Sequence, residues 1–296
     1  MLAKVKMSYS RIAAVTGSNK GVGLACVRQL ALQYPQSSLN NGPFLIYLTA
    51  RNKERGEKAV QEILQDPQLK EAKALQKDGG LSDIKYLQLD IDSKDSIQSF
   101  ATTLKKEHPE GIDILLNNAG VALEGFDANV VKKTLHSNYY GTMEAVKQML
   151  PQVKDGGRIV NVASIVGLLD SNYAAPIRQR FLNAKKTEEI TALMEEFTTA
   201  VEKNQYEGTW PGAAYKTSKC GVIGMTRTLA LENASTGSKT LINSVCPGYV
   251  NTDMTKGRGV KTPDEGAQTP VLVALGEIDG SNGNFWYNGK ITAWEK

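Results

Sequence analysis

The sequence predicts an α/β protein built on one doubly wound parallel sheet with helices on both of its faces. Short apolar runs with the length of buried strands alternate along the chain with longer segments in which apolar residues recur at helical spacing. Four such alternations in succession indicate parallel strands joined by crossover helices. Because no internal repeat and no convincing linker divides the 296 residues, we interpret residues 11–296 as one domain behind an extension at residues 1–10.

The composition excludes several classes of protein. The 35 basic and 31 acidic residues give a formal net charge of +4 and are spread along the chain, so we expect no nucleic-acid partner. The three cysteines, Cys26, Cys220 and Cys246, and the two histidines show no metal-ligand spacing, so neither a disulfide framework nor a metal site is expected. No apolar run approaches the roughly 18 residues that a membrane span needs, and we expect a cytoplasmic protein without a membrane partner.

A glycine-rich turn follows the first predicted strand, residues 11–16. It reads Gly-Ser-Asn-Lys-Gly-Val-Gly from Gly17 to Gly23 and leads into a helix predicted at about 21–33. Glycines at a strand-to-helix junction let the backbone approach a phosphate, and the helix directs its N-terminal amides at the anion. The spacing is not the Gly-x-Gly-x-x-Gly of ordinary Rossmann dehydrogenases, and a structural turn is an alternative, but the position favours a dinucleotide site.

An arginine stands just after the second predicted strand, residues 44–49. In dinucleotide-binding sheets an acidic residue near this point accepts a hydrogen bond from the ribose 2′-hydroxyl of NAD. Arg51 stands here instead, and its guanidinium would pair with a 2′-phosphate, with possible help from Lys20. The sequence therefore favours NADP over NAD, the alternative being a surface arginine at a helix start.

The third and fourth predicted strands, residues 84–89 and 112–116, also end in polar residues. Ligands of open parallel sheets lie beyond these carboxyl ends. Asp90 is therefore placed to meet an adenine amine, although a helix-capping role is equally open to the nearby Asp92 or Ser93. The fourth strand stops at Asn-Asn-Ala-Gly, residues 117–120.

The second half of the chain adds two polar candidates. Asn138 lies in the middle of a long helical region, although asparagine is a poor helix former, so its presence there invites an explanation. A fifth strand at 158–163 delivers Ser164, without the Gly-x-Ser-x-Gly elbow that nucleophilic hydrolysis would need. A sixth strand is predicted at 241–245, and residues 283–290 are predicted to form the last strand and its turn.

Tyr215 and Lys219 are four residues apart in a predicted helix, so both polar groups reach the same small volume. A phenol has an ordinary pKa of about 10, and a fixed positive charge nearby lowers that pKa. Tyr215 could then donate a proton to a carbonyl oxygen. Taken alone, the pair is explained as well by a solvated helix face.

Several segments, taken together, carry a resemblance that covers nearly the whole chain. They are residues 16–23, 48–51, 89–92, 117–120 and 247–254, with Asn138, Ser164, Tyr215 and Lys219. In this order they resemble the short-chain dehydrogenase/reductase family, and within it the NADPH-dependent carbonyl reductases. The resemblance implies a Rossmann-like fold.

The resemblance also implies a role for each of four residues. Tyr215 would protonate the carbonyl oxygen, and Lys219 would bind the nicotinamide ribose and lower the tyrosine pKa. Ser164 would hydrogen-bond the substrate oxygen, and Asn138 would hold a water that links Lys219 to solvent. These roles suit a reaction in which a developing alkoxide needs preorganised donors.

NADPH is the implied cofactor, and the implied reaction is hydride transfer to a small-molecule ketone or aldehyde. Two alternatives remain open: NADP-dependent oxidation of a specific alcohol, such as a steroid or polyol, and a non-enzymatic NADPH-binding regulator. The candidate cofactor-binding residues are Gly17, Asn19, Lys20, Gly21, Val22, Gly23, Arg51, Asp90, Ile91, Asn118, Tyr215, Lys219, Pro247, Gly248, Val250 and Thr252.

The 51 positions from Ser164 to Tyr215 exceed the short loop of most of the superfamily. An insert at about 168–211 shows apolar residues at helical spacing and is similar to the insert of monomeric carbonyl reductases. We expect it to pack beside the helix that carries Tyr215, to keep the protein a monomer and to form one wall of the substrate cleft. Cys246 is expected to be a small buried residue or, alternatively, part of that cleft.

Overall fold

The computed structural model describes residues 8–296, which form one eight-stranded sheet flanked by helices. The predicted extension at residues 1–10 therefore lies outside the described residues for its first seven positions. The strands are β1 (Arg11–Val15), β2 (Phe44–Ala50), β3 (Ser82–Gln88), β4 (Ile112–Asn117), β5 (Val153–Val162), β6 (Leu241–Cys246), β7 (Phe285–Tyr287) and β8 (Lys290–Ile291). The α-helices are α1 (Gly21–Gln33), α2 (Lys53–Ile63), α3 (Pro67–Glu71), α4 (Lys94–Glu107), α5 (Ala128–Leu135), α6 (Thr142–Met149), α7 (Ala175–Asn183), α8 (Thr187–Glu202), α9 (Ala214–Ser235) and α10 (Pro263–Leu275).

The strand order is β3-β2-β1-β4-β5-β6-β7-β8. All neighbouring strands from β3 to β7 pair in parallel, and β8 adds an antiparallel edge. The chain thus winds outward from β1 to β3 and then returns to continue at β4, which confirms the predicted doubly wound fold. Such a reversal places a crevice at the carboxyl ends of β1 and β4, where ligands of this fold class bind.

The two faces of the sheet bury different residues of the same strands. In β1, Ile12 and Ala14 pack into the core on one face, while Ala13 and Val15 pack into the core on the other. Alternation with a period of two is what a strand covered on both sides requires. The first core includes residues of α4, α5, α6, α8 and α9, and the second includes residues of α1, α2 and α10.

Two helical regions are interrupted. Before β3, α2 and α3 are separate helices, because Pro67 begins a new helix that Asp66 caps. The long region around Asn138 consists of α5 and α6 joined by a π-helical turn, His136–Gly141. A π-turn inserts an extra residue into the helical ladder and is frequent at functional sites.

The insert forms α7 and α8, and α8 lies against α9 and α5. Its apolar positions Ile190, Leu193, Met194 and Phe197 are buried, as the helical spacing predicts. The chain end also covers this region, because the Leu169 amide donates to the Trp294 carbonyl at 2.9 Å. No helix within residues 8–296 is long and apolar enough to cross a membrane.

Candidate active site

The glycine-rich turn after β1 has the backbone geometry of an anion cradle. Gly17 and Gly21 have φ of +60° and +57°, which side chains disfavour. A Cβ at Gly23 would lie 2.6 Å from the Gly17 carbonyl oxygen, so only glycine allows this close packing. The N-terminus of α1 has no side-chain cap, which leaves first-turn amides available to a phosphate. These features fit the pyrophosphate of a dinucleotide.

The two basic residues expected near a 2′-phosphate have different surroundings. Arg51 is exposed directly after β2, and among the described residues its guanidinium has no ion-pair partner. The Lys20 ammonium instead pairs with the Asp253 carboxylate at 2.6 Å and lowers the pKa of that carboxyl. Arg51 is therefore available to bind a 2′-phosphate, whereas Lys20 would first have to break its ion pair with Asp253.

Residues after β3 and β4 border the same crevice. Asp90 and Ile91 are half-buried after β3, and Ser93, not Asp92, caps α4 by accepting from the Ser96 amide. The Asn118 amide group donates to the Thr16 and Gly17 carbonyls at 3.1 and 3.0 Å. This side chain therefore holds the glycine turn in place.

The loop after β6 reaches the glycine turn from the opposite side. Gly248 has a φ of +90°, and Val250 is buried. The Thr252 methyl lies 3.4 Å from the point where Gly21 would carry a Cβ. The structure thus brings the Pro247–Thr252 segment and the turn together, as the candidate cofactor site requires.

Tyr215 and Lys219 lie in the first turns of α9, next to Ser164. The Lys219 ammonium is 5.7 Å from the centroid of the Tyr215 ring, and it donates to the Val162 carbonyl at 2.8 Å. Burial lowers the pKa of Lys219 to about 8. The Ser164 side chain is close enough to the Tyr215 phenol to lower its pKa.

The pKa of Tyr215 is raised in the protein alone, whereas the resemblance implies a lowered value. Burial raises the pKa of Tyr215 to about 12, with a contribution from the Cys246 thiol, and the Ser164 hydrogen bond offsets only part of this rise. Burial destabilises the charged phenolate more than the neighbouring polar groups stabilise it.

Asn138 is fully buried in the π-turn, and its side-chain amide makes three hydrogen bonds. Its Oδ1 accepts from the Val121 amide at 2.7 Å, and its Nδ2 donates to the Val121 carbonyl at 2.9 Å. Nδ2 also donates to the Ser218 hydroxyl at 2.9 Å. Ser218 escaped the sequence analysis, although its position three residues after Tyr215 on a helix was a usable signal.

Cys246 ends β6 within the same site but is only 2% exposed. Its sulfur accepts from the Ile165 amide at 3.1 Å and from the Gly248 amide at 3.3 Å. It therefore joins the turn after Ser164 to the Pro247–Gly248 turn and offers little surface to a substrate. Burial raises the pKa of its thiol.

Comparisons with known proteins agree with this geometry. A family model described as short chain dehydrogenase matches residues 11–176 and 203–262, and the stretch that it omits contains all of α8. Carbonyl reductase (NADPH) 1 of Mus musculus is 37% identical over 97% of this chain and 100% of its own length. Its counterpart in Homo sapiens is 36% identical, with 96% and 98% covered. The structure of salutaridine reductase from Papaver somniferum is similar with a TM-score of 0.77 at 28% identity, covering 94% of this chain and 99% of that one.

Proposed function

Because the chain belongs to the short chain dehydrogenase family, we propose that it reduces a ketone or aldehyde carbonyl to an alcohol with NADPH. The observation that carries this proposal is the meeting of the Tyr215 phenol, the Ser164 side chain and the Lys219 ammonium at one site. The relatives named as NADPH carbonyl reductases, which match along nearly their whole length, support it.

NADPH, when bound, supplies the hydride, and the protein supplies the proton and the fixed donors. The Ser164 hydroxyl holds the substrate oxygen, and Tyr215 protonates it. A phenol with a pKa of about 12 stays protonated at neutral pH, so the proton is in place before the reaction. Below about pH 8 Lys219 carries a charge that stabilises the phenolate left behind.

The crevice at the carboxyl ends of the strands would hold the cofactor. The amides of α1 and the glycine turn suit the pyrophosphate, and Arg51 suits the 2′-phosphate. Asp90 and Ile91 would border the adenine, and Asn118 supports the turn by its bonds to Thr16 and Gly17. The remaining cofactor contacts would come from Asn19, Val22, Pro247, Gly248, Val250 and Thr252.

The same proposal extends to the organisation of the chain. Residues 11–296 act as one catalytic domain, in which the insert at about 168–211 forms a wall of the substrate cleft and keeps the protein monomeric. We place the protein in the cytoplasm, in keeping with three buried cysteines that are all free among the described residues. Its partner is a small carbonyl compound rather than a nucleic acid or a membrane.

The test is NADPH consumption by the purified protein with a panel of quinones, aldehydes and keto-steroids. We expect turnover with at least one class, and weaker activity with NADH. NADPH binding without turnover of any carbonyl would favour a regulator. Activity confined to alcohols with NADP would favour the oxidative alternative.

A further inference from the structure

Ser218 joins two parts of the candidate site that the sequence places far apart. It is fully buried in α9 between Tyr215 and Lys219. Its hydroxyl contacts the Tyr215 carbonyl oxygen at 2.8 Å and the Asn138 side-chain nitrogen at 2.9 Å. A serine hydroxyl has one proton to donate and can also accept.

The direction of these two bonds follows from their partners. A backbone carbonyl can only accept a hydrogen bond, so the Ser218 hydroxyl donates its proton to the Tyr215 backbone carbonyl. The group of Asn138 that faces Ser218 must then be the amide NH₂ and not its oxygen. Val121 requires the same orientation, because its amide faces Oδ1 and its carbonyl faces Nδ2.

This orientation leaves one acceptor position of Asn138 unused. Both Nδ2 hydrogens and one lone pair of Oδ1 are occupied by Val121 and Ser218. A Cβ built on Gly120 would lie 2.9 Å from Asn138 Oδ1 and 3.5 Å from Lys219 Nζ. The free side of the amide oxygen and the ammonium therefore border the same small space, which Gly120 keeps open.

We propose that Ser218 is a positioning residue that holds the Asn138 amide so that its oxygen faces Lys219. This inference rests on the proposed function, since it concerns the lysine that supports Tyr215. An oriented oxygen stabilises the charged form of Lys219, which burial disfavours. The other titratable groups that act on Lys219 are Tyr215 on its own helix and Cys246 at the end of β6.

Ser218→Ala tests the proposal, with Thr217→Val as the matched control. Thr217 is also fully buried in α9, but its hydroxyl donates to the Ala213 carbonyl and not to Asn138. In Ser218→Ala we expect kcat to fall about tenfold, and the basic limb of the pH profile to move down by about one pH unit. The control should keep the basic limb of the wild type.

A double variant separates positioning from a structural role. In an Asn138→Ala background, Ser218→Ala should move the basic limb no further, because the group that Ser218 holds is gone. An unchanged limb in Ser218→Ala, or an equal further movement in the double variant, would overturn the proposal. If Ser218→Ala does not fold, Ser218→Cys, which keeps the bulk with a weaker donor, should show a smaller movement in the same direction.

NMR titration of isotope-labelled lysine reads the pKa of Lys219 without any turnover, with its resonance assigned from Lys219→Met. A lower Lys219 pKa in Ser218→Ala supports the positioning role even if no carbonyl is reduced, in which case only the proposed function fails. An unchanged Lys219 pKa rejects the positioning role, whatever the activity of the wild type.

Discussion

One physical cause, burial, acts in opposite directions on the two central residues of the site. It raises the pKa of Tyr215 to about 12 and lowers that of Lys219 to about 8, because in both cases the neutral form is favoured. The phenol is thereby kept as a proton donor. Lys219 becomes the group whose charge changes within an accessible pH range.

The pH dependence of reduction should follow Lys219. Because its ammonium is present below a pKa of about 8 and lost above it, kcat/KM should decline as pH rises through that value. Steady-state kinetics from pH 6 to 10 measure this decline, and the loss of NADPH without enzyme at each pH is subtracted as the control. If kcat/KM stays constant up to pH 10, the charge of Lys219 does not control the reaction rate.

Tyr215→Phe removes the proton donor and keeps the ring. Since general acid catalysis is typically worth about 10² to 10⁴ in rate, we expect kcat to fall by about 10² or more. The dissociation constant for NADPH should stay close to that of the wild type, which a fluorescence titration reports. Turnover within about tenfold of the wild type would remove Tyr215 from the mechanism.

Arg51→Asp should weaken NADPH binding far more than NADH binding, because a carboxylate would repel a 2′-phosphate and suit a free ribose hydroxyl. Arg55→Asp is the matched control, since Arg55 is also exposed and lies four residues further along, in α2. Binding titrations of both variants with both cofactors measure the effect. Equal losses for the two cofactors would show that Arg51 does not contact the phosphate.

Among the secondary-structure elements, the turn after Ser164 depends on a close approach to α9. A Cβ at Gly167 would lie 2.6 Å from the Lys219 carbonyl carbon and 2.7 Å from the Cys220 nitrogen, which are backbone atoms. The turn or the helix must therefore shift if any side chain is added. This contact ties the position of Ser164 to the helix that carries Tyr215.

Gly167→Ala should accordingly cost stability of about 1 to 3 kcal/mol and reduce kcat by about tenfold or more. Thermal unfolding and steady-state kinetics report the two effects. Gly212→Ala is the control, because the nearest atom to its added Cβ would lie at 3.6 Å, an ordinary contact. If Gly167→Ala keeps the kcat of the wild type, then a shift of the turn after Ser164 does not affect catalysis.

At the scale of the whole molecule, the insert covers part of the surface of α9 and α5. In oligomeric members of the family that the sequence resembles, subunits pair through the helices that correspond to α5, α6 and α9. Here α8 lies on α9 and α5 within the same chain. An isologous interface needs those faces bare on both subunits.

We therefore expect a monomer with a mass near 32.2 kDa. Light scattering coupled to gel filtration at micromolar concentration measures it. A dimer or tetramer would show that the covered face is not the pairing face of this protein. The role of the insert as a wall of the substrate cleft would then need a separate test.

The sequence by itself predicted a doubly wound parallel sheet and a glycine turn after its first strand. Both rest on local signals, namely periodicity and residue type at strand ends, which need no knowledge of distant contacts. The joint roles of Asn138, Ser164, Tyr215 and Lys219 came from the resemblance to a family, and they stay predictions. The sequence also indicated that the insert is helical. Strand ends were predicted less well, and β5 begins five residues before its predicted start.

Only the tertiary structure decided how the candidate residues act on one another. The pKa of Tyr215 rose where a fall was expected, because desolvation depends on everything packed around a group. The pairing of Lys20 with Asp253 and the bond from Asn138 to Ser218 join residues 233 and 80 positions apart. Contacts over such separations are set by the packing of whole elements, which no local pattern records.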